Sequence, residues 1–208
     1  MQAKKYALIL VVITVSFFGF CIENIFMSFR WGHMDNRNYI LPFILGYGLT
    51  VLGLYSLFGT PTSPQFFTQT LVFKNEFFKN IYYFAVAFFL VSIGEIALGQ
   101  LTEWTCGIVW WNYSTIPLHF TKYTSIPTSL GFAFLITAFM KYGFTPLWNL
   151  FSTIKHSILI VVSITLLVVI SLDTLNSTIY MFSHHSMLNL WRIEFKKPLK
   201  YLFFWNHI

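Results

Sequence analysis

The sequence predicts an all-α membrane protein: a polytopic bundle of about five transmembrane helices with an interfacial or re-entrant Trp-rich loop. Three observations carry that reading. Only 10% of the 208 residues are charged, where a soluble chain of this length carries about a quarter. Aromatic residues make up 21% of the chain, 25 of them Phe, a side chain with no polar atom to satisfy in hydrocarbon. Apolar runs recur at the length of about 20 residues that a helix needs to cross a roughly 30 Å hydrocarbon core. The mean hydropathy of +0.66 agrees.

The first span is expected from Tyr6 to Phe29, apolar until Glu23 and Asn24 near its far end. Lys4 and Lys5 before an apolar run resemble a signal peptide, but Phe17, Phe18 and Phe20 stand where a small-residue cleavage site belongs, so a retained span is expected. A polar loop holds Arg30, Asp35 and Arg37. The second span is expected from Tyr39 to Gly59, broken early by Pro42. Pro61 and Pro64 then disfavour helix. Residues Phe66 to Phe78 read as an interfacial segment, followed by a third span from Asn80 to Leu101. A fourth is expected from Ile126 to Tyr142 or Phe144, stopped by Lys141 and Pro146, and a fifth from Ser157 to Phe182. This gives a transmembrane domain over residues 1–182 and a basic, aromatic tail over 183–208, suited to anchoring at the interface.

Arg192, Lys196, Lys197 and Lys200 cluster in that tail, the pattern of a segment held against anionic headgroups. No basic stripe runs through the apolar body, which argues against nucleic acid as a partner. The bilayer is the expected partner. Five spans would put six cations on the N-terminal side and seven on the other, which leaves orientation open. Cys21 and Cys106 have no CxxC spacing, so neither a metal site nor a disulfide framework is indicated, and no cofactor is called for. There is no Gly-rich phosphate loop, GxSxG elbow or HExxH motif, which excludes nucleotide hydrolysis within the chain.

Polar groups concentrate between Ile93 and Pro127. Glu95, Gly99, Glu103 and Gly107 recur every fourth residue, so each advances about 40° around a helix. An ionisable side chain at membrane depth costs at least about 2.5 kcal/mol and is a functional candidate by default. Glu95 and Glu103 are therefore candidates for substrate binding or proton handling, the alternative being a wet headgroup position or pairing with a cation. Glu23 could face either of them across the bundle, or form a salt bridge with Arg30 or Arg37. Trp110, Trp111 and Tyr113 suit a membrane-interface belt, but their density beside two glutamates also suits a pocket whose aromatic faces receive a cation or a flat apolar group. Asn112 joins them as a candidate, and Asn112-Tyr113-Ser114 matches the glycosylation acceptor pattern. Asp173, in the fifth span, could glue helices together or line the same cavity as Glu95. The adjacent His184 and His185 point about 100° apart on a helix and make poor joint metal ligands.

These residues form two blocks. One is Gly19-x-x-x-Glu23 with Asn36-Arg37, Pro42 and Tyr47-Gly48. The other is Glu95-x-x-x-Gly99-x-x-x-Glu103, Gly107 and Trp-Trp-Asn-Tyr-Ser. Together they resemble the CmpB-like ABC-transporter permease family of small bacterial integral membrane proteins over roughly residues 15–146. Asn112 stands where that family has Asp, which removes a charge. The resemblance implies a permease of a bacterial cell membrane, working with a separate ATPase subunit or by proton coupling, and brings in Arg37, Pro42 and Tyr47 as structural or pocket-lining residues. The small size of the bundle suggests a homodimer. An intramembrane enzyme protonating a lipid or isoprenoid through a carboxylic acid, and an assembly partner with no chemistry, are the alternatives.

Overall fold

The computed structural model describes residues 2–195. Lys196, Lys197, Lys200 and the rest of the expected tail lie outside them. Among the described residues five helical rods, four of them long and apolar enough to cross a membrane, make up the body.

Helix α1 (Gln2–Trp31) covers the expected first span, ending where Gly32 takes a positive φ of 72° and donates its N–H to the Ser28 carbonyl. The chain does not re-enter helix at Tyr39. Helix α2 (Leu45–Phe58) has 14 residues, about 21 Å of rise against a core of about 30 Å. The reason lies before it. Asn36 to Ile44 spend their backbone groups elsewhere, and Pro42 has no N–H to give a helix. Asp173 accepts the N–H groups of Ile40 and Leu41 at 3.0 and 2.9 Å, and Ile44 donates to the Ser16 carbonyl on α1 at 3.0 Å.

Helices α1 and α2 approach backbone to backbone at Gly48. A Cβ on Gly48 would sit 2.2 Å from the Val12 carbonyl oxygen. This is small-residue packing of the kind that holds membrane helices where the hydrophobic effect gives them no reason to associate. Gly48→Ala is expected to push the pair apart and cost about 1–3 kcal/mol, read as a lower midpoint of thermal unfolding in detergent. An unchanged midpoint would mean that the contact is soft.

Beyond α2 a three-stranded antiparallel ribbon, β2 (Gly59–Thr60), β3 (Ser63–Phe66) and β4 (Gln69–Thr70), replaces the first half of the expected interfacial segment. The Tyr83 hydroxyl ties it down by donating to the Gly59 carbonyl at 3.1 Å. Helix α3 (Glu76–Cys106) is longer than expected at both ends. The Asn75 side chain accepts the Phe78 N–H at its start, and Gly107, at φ 70°, closes its last turn by donating to the Glu103 carbonyl. Glu103 is therefore helical. The loop that follows carries the tryptophans and a small hairpin, β5 (His119–Thr121) and β6 (Thr124–Ser125).

Lys141 and Pro146 do not end the next rod. Helix α4 (Ile126–Ala138) runs through a π turn (Phe139–Gly143), in which Phe144 donates to Phe139 five residues back, into α5 (Phe144–Ser152). Pro146 falls in the first turn after this wider segment, where a missing N–H costs little. Helix α6 (His156–His184) covers the fifth expected span. His184 stacks on Tyr180, and the His185 ring meets the Cys106 carbonyl at 2.7 Å.

The Trp148 indole N–H donates to the Lys4 carbonyl, which places the end of α5 beside the start of α1. At the opposite end, β1 (His33–Asp35) pairs antiparallel with β7 (Arg192–Glu194). The two ends of the described chain thus lie on opposite faces of the bundle. Helix α1 is central, packed on α2, α5 and α6, while α3 packs on α4, and α2 and α3 barely approach one another. One buried cluster joins Val11, Leu54, Tyr83, Met140 and Phe144, and a second joins Ala7, Leu10, Leu159 and Ile170. Ile158, Val161, Leu172, Leu175 and Ile179 of α6 face outward, as a lipid-facing surface requires.

Candidate functional site

Because α1–α2 and α3–α4 pack as two pairs, a cavity of about 530 Å³ remains between them, within the size range of small-molecule sites. Its walls are apolar: Val15, Phe18 and Ile22 from α1, Val51 from α2, Leu90 and Val91 from α3, Phe132 and Leu135 from α4, and Phe139 from the π turn. A groove of about 300 Å³ lies on the other side of Ile22, Phe132 and Leu135, with Arg30 on its lining.

The polar end of the cavity brings together Glu23, Arg37, Tyr47, Glu95, Trp110, Trp111 and Tyr113. Arg37 reaches it from an unusual backbone. Arg37 and Asn38 both take left-handed conformations, at φ 49° and 72°, which cost energy in residues with a Cβ. Side-chain bonds hold that turn: the Asn36 amide donates to the Leu188 carbonyl at 2.9 Å, and the Asn38 side chain accepts the Leu188 N–H at 2.6 Å. The guanidinium so placed lies 3.5 Å from Glu23 and 3.7 Å from Asp35. Glu23 meets both expectations: it pairs with Arg37 rather than with Arg30, which turns to the Thr115 side chain at 2.9 Å, and it shares the polar end of the cavity with Glu95.

Two glutamates share one device. A Cβ on Gly19 would lie 2.4 Å from the Tyr47 ring, and a Cβ on Gly99 would lie 2.3 Å from the Tyr123 ring. Each glycine admits a tyrosine flat against its helix, and each tyrosine hydroxyl donates to the glutamate one turn on: Tyr47 to Glu23 at 2.5 Å, and Tyr123 to Glu103. The Gly-x-x-x-Glu spacing at 19/23 and 99/103 signals this in the sequence. Tyr123 itself carries no such signal, because its partner helix lies across a bulged hairpin.

Glu103 does not join the cavity. It pairs with Lys122 at 2.6 Å on a half-exposed surface. Glu95 does join it, and its partners are hydroxyls. Thr124 donates to it at 2.7 Å and in turn contacts Ser129 at 2.9 Å, while the Tyr113 and Ser129 hydroxyls also face the carboxyl. Thr124 and Ser129 are almost completely buried and had no sequence signature of their own. Burial holds the Tyr113 hydroxyl well above the ordinary tyrosine range, and the charges of Glu23 and Glu95 add to this, so Tyr113 stays a proton donor across physiological pH.

The tryptophans line the polar end. The Trp111 indole N–H donates to the Tyr123 carbonyl at 2.8 Å, the two indoles lie 5.8 Å apart, and Trp110 contacts Tyr39. Asn112 turns away: its side chain accepts the Ser114 N–H at 2.8 Å and caps an exposed turn. Pro42 and Asp173 stand apart too, in the strut between α6 and the 36–44 segment. No group of His, Cys, Asp and Glu able to hold a metal ion occurs among the described residues.

With this geometry in place, comparison with known families is informative. A family model described as "Putative ABC-transporter type IV" matches residues 10–178, from α1 through most of α6. The chain belongs to this family. Membership, together with four helices long and apolar enough to span, makes it a multi-pass integral membrane protein related to transport. The family also suggests an ATPase as partner, in keeping with the lack of a phosphate loop in this chain. No curated protein and no solved structure gives a match.

Proposed function

We propose that the chain is the membrane-embedded permease component of a transporter, and that the cavity between α1–α2 and α3–α4 is the path of its cargo. The observation that carries this reading is a largely apolar space of about 530 Å³ with one carboxyl, Glu95, held only by hydroxyls. A cargo with an apolar body, a small solute or lipid, fits such walls. Glu95 is the contact at its polar end, able to exchange a proton or a charge with the cargo without breaking an ion pair. Glu23, Arg37, Tyr47 and Tyr113 shape that end, and Trp110 and Trp111 cover it. A separate ATPase supplies energy, and a homodimer widens a path that five rods leave narrow. Residues 1–182 are the transporting unit and 183–208 a basic tail at the surface of a bacterial cell membrane.

Gly94 gives a direct test. It lines the cavity, and a Cβ there would meet no heavy atom within 4 Å. Gly94→Phe is expected to fill the path without disturbing the fold. Cells carrying it should match a deletion strain, with one solute or lipid redistributed and no chemical species lost or gained. Full complementation by Gly94→Phe would sink the proposal. A lipid species missing from both strains would assign an intramembrane enzyme instead, one in which Glu95 protonates a substrate whose cation the Trp110 and Trp111 faces stabilise. A chain without chemistry accounts for the ion pairs of Glu23 and Glu103, but gives no reason for Glu95.

A further inference from the structure

Every Asp and Glu of the sequence lies among the described residues, and all but one are accounted for. Glu23, Asp35, Glu76, Glu103 and Glu194 each sit against a basic side chain. Asp173 accepts two backbone N–H groups. Glu95 alone has neither, although it lines the cavity.

With Glu95 ionised, the polar end of the cavity carries more negative than positive charge. Among the described residues Arg37 is the one cation lining it, and that guanidinium is shared between Glu23 and Asp35. A second positive charge would complete the set. The rings of Trp110, Trp111, Tyr47 and Tyr113 line the same end, and aromatic faces attract a cation that has left water. The walls beyond them would cover an apolar body. A compact, hydrated cation would lose its water for too few oxygen ligands, whereas an organic cation with its charge spread over apolar groups has little hydration to lose.

We propose that the cargo of this cavity is a hydrophobic organic cation, its positive centre held at Glu95 among the aromatic rings and its apolar part along the walls between α1–α2 and α3–α4. This rests on the cavity being the cargo path. The opposite assignment, an anion drawn to Arg37, has its own support in the buried Arg37 Nε, which has no hydrogen-bond partner.

Two probes of nearly equal size and shape and opposite charge separate these. Tetraphenylphosphonium and tetraphenylborate would be titrated into the full chain, purified in nonionic detergent, with tryptophan fluorescence and equilibrium dialysis as readouts. The phosphonium should bind about tenfold or more tighter than the borate. Glu95→Gln should remove that preference, and Glu103→Gln, outside the cavity, should keep it. Gly94→Phe should weaken both probes. Borate binding tighter than or equal to phosphonium, or a preference that survives in Glu95→Gln, would overturn the cation assignment. If Gly94→Phe blocks binding in that case, the cavity remains the path and only the cargo class is wrong. If Gly94→Phe leaves both probes bound as in the wild type, the reading of the cavity falls as well.

Discussion

Glu95→Gln is expected to reduce transport to near the level of a deletion strain while the protein still folds. Glutamine keeps an oxygen for the Thr124 hydroxyl, so the buried Thr124–Ser129 pair does not lose its acceptor. Stability should change by no more than about 1 kcal/mol. What disappears is the carboxyl that faces the cavity without a cation of its own. Removing one partner from a desolvated charged contact costs about 2 kcal/mol or more, roughly thirtyfold in affinity for a cargo that uses it. Transport into vesicles and thermal unfolding in detergent, measured on the same preparation, separate the two effects. Wild-type transport by Glu95→Gln would remove Glu95 from the mechanism, and collapse of the fold would make it a structural residue. Glu103→Gln is the contrast. Its pair with Lys122 is more than a third exposed on both sides, so solvent screens it, and both transport and stability should stay near wild type.

Asp173→Ala should have the largest effect on stability. The carboxylate accepts the Ile40 and Leu41 N–H groups, and no other partner among the described residues is in place for them. An unsatisfied buried donor costs about 1–3 kcal/mol, so losing both acceptors should cost roughly 3–5 kcal/mol, as for other broken buried charge contacts. The neighbouring Ser177 hydroxyl, which donates to the Asn38 carbonyl, would lose its setting too. Asp173→Asn should fall between the variant and the wild type, because one amide oxygen can still accept. Thermal unfolding of the three proteins in the same detergent checks the order. Equal midpoints would show that water or lipid headgroups replace the carboxylate at no cost.

Much of the fold was legible because lipid demands long apolar helices, and α1, α3 and α6 lie close to their expected places. The misses follow from polar groups satisfied by distant parts of the chain. Tyr39 to Ile44 read as helix because nothing local shows that Asp173, more than a hundred residues on, takes the N–H groups of Ile40 and Leu41. Lys141 and Pro146 read as a stop because a π turn has no pattern of its own in the sequence. Among the site candidates, Glu23, Arg37, Tyr47, Glu95, Trp110, Trp111 and Tyr113 line one cavity. Glu103 does not: eight residues past Glu95, it is carried roughly 12 Å along the helix and about 80° around it. Thr124, Ser129 and Tyr123 were invisible because common polar residues gain meaning only from what they face.

The strut from Asp173 to the 36–44 segment, together with the β1–β7 pair beyond it, also has a bearing on biosynthesis. The ribosome delivers the first loop long before it delivers α6. During that interval the amides of Ile40 and Leu41 and strand β1 wait without their partners, since Asp173 and strand β7 are made more than a hundred residues later. The first two helices therefore enter the membrane with their connection unfinished, and it is locked only when α6 arrives. A message truncated before codon 173 would leave the Ile40 and Leu41 amides without their acceptor, and so an early loop open to proteases.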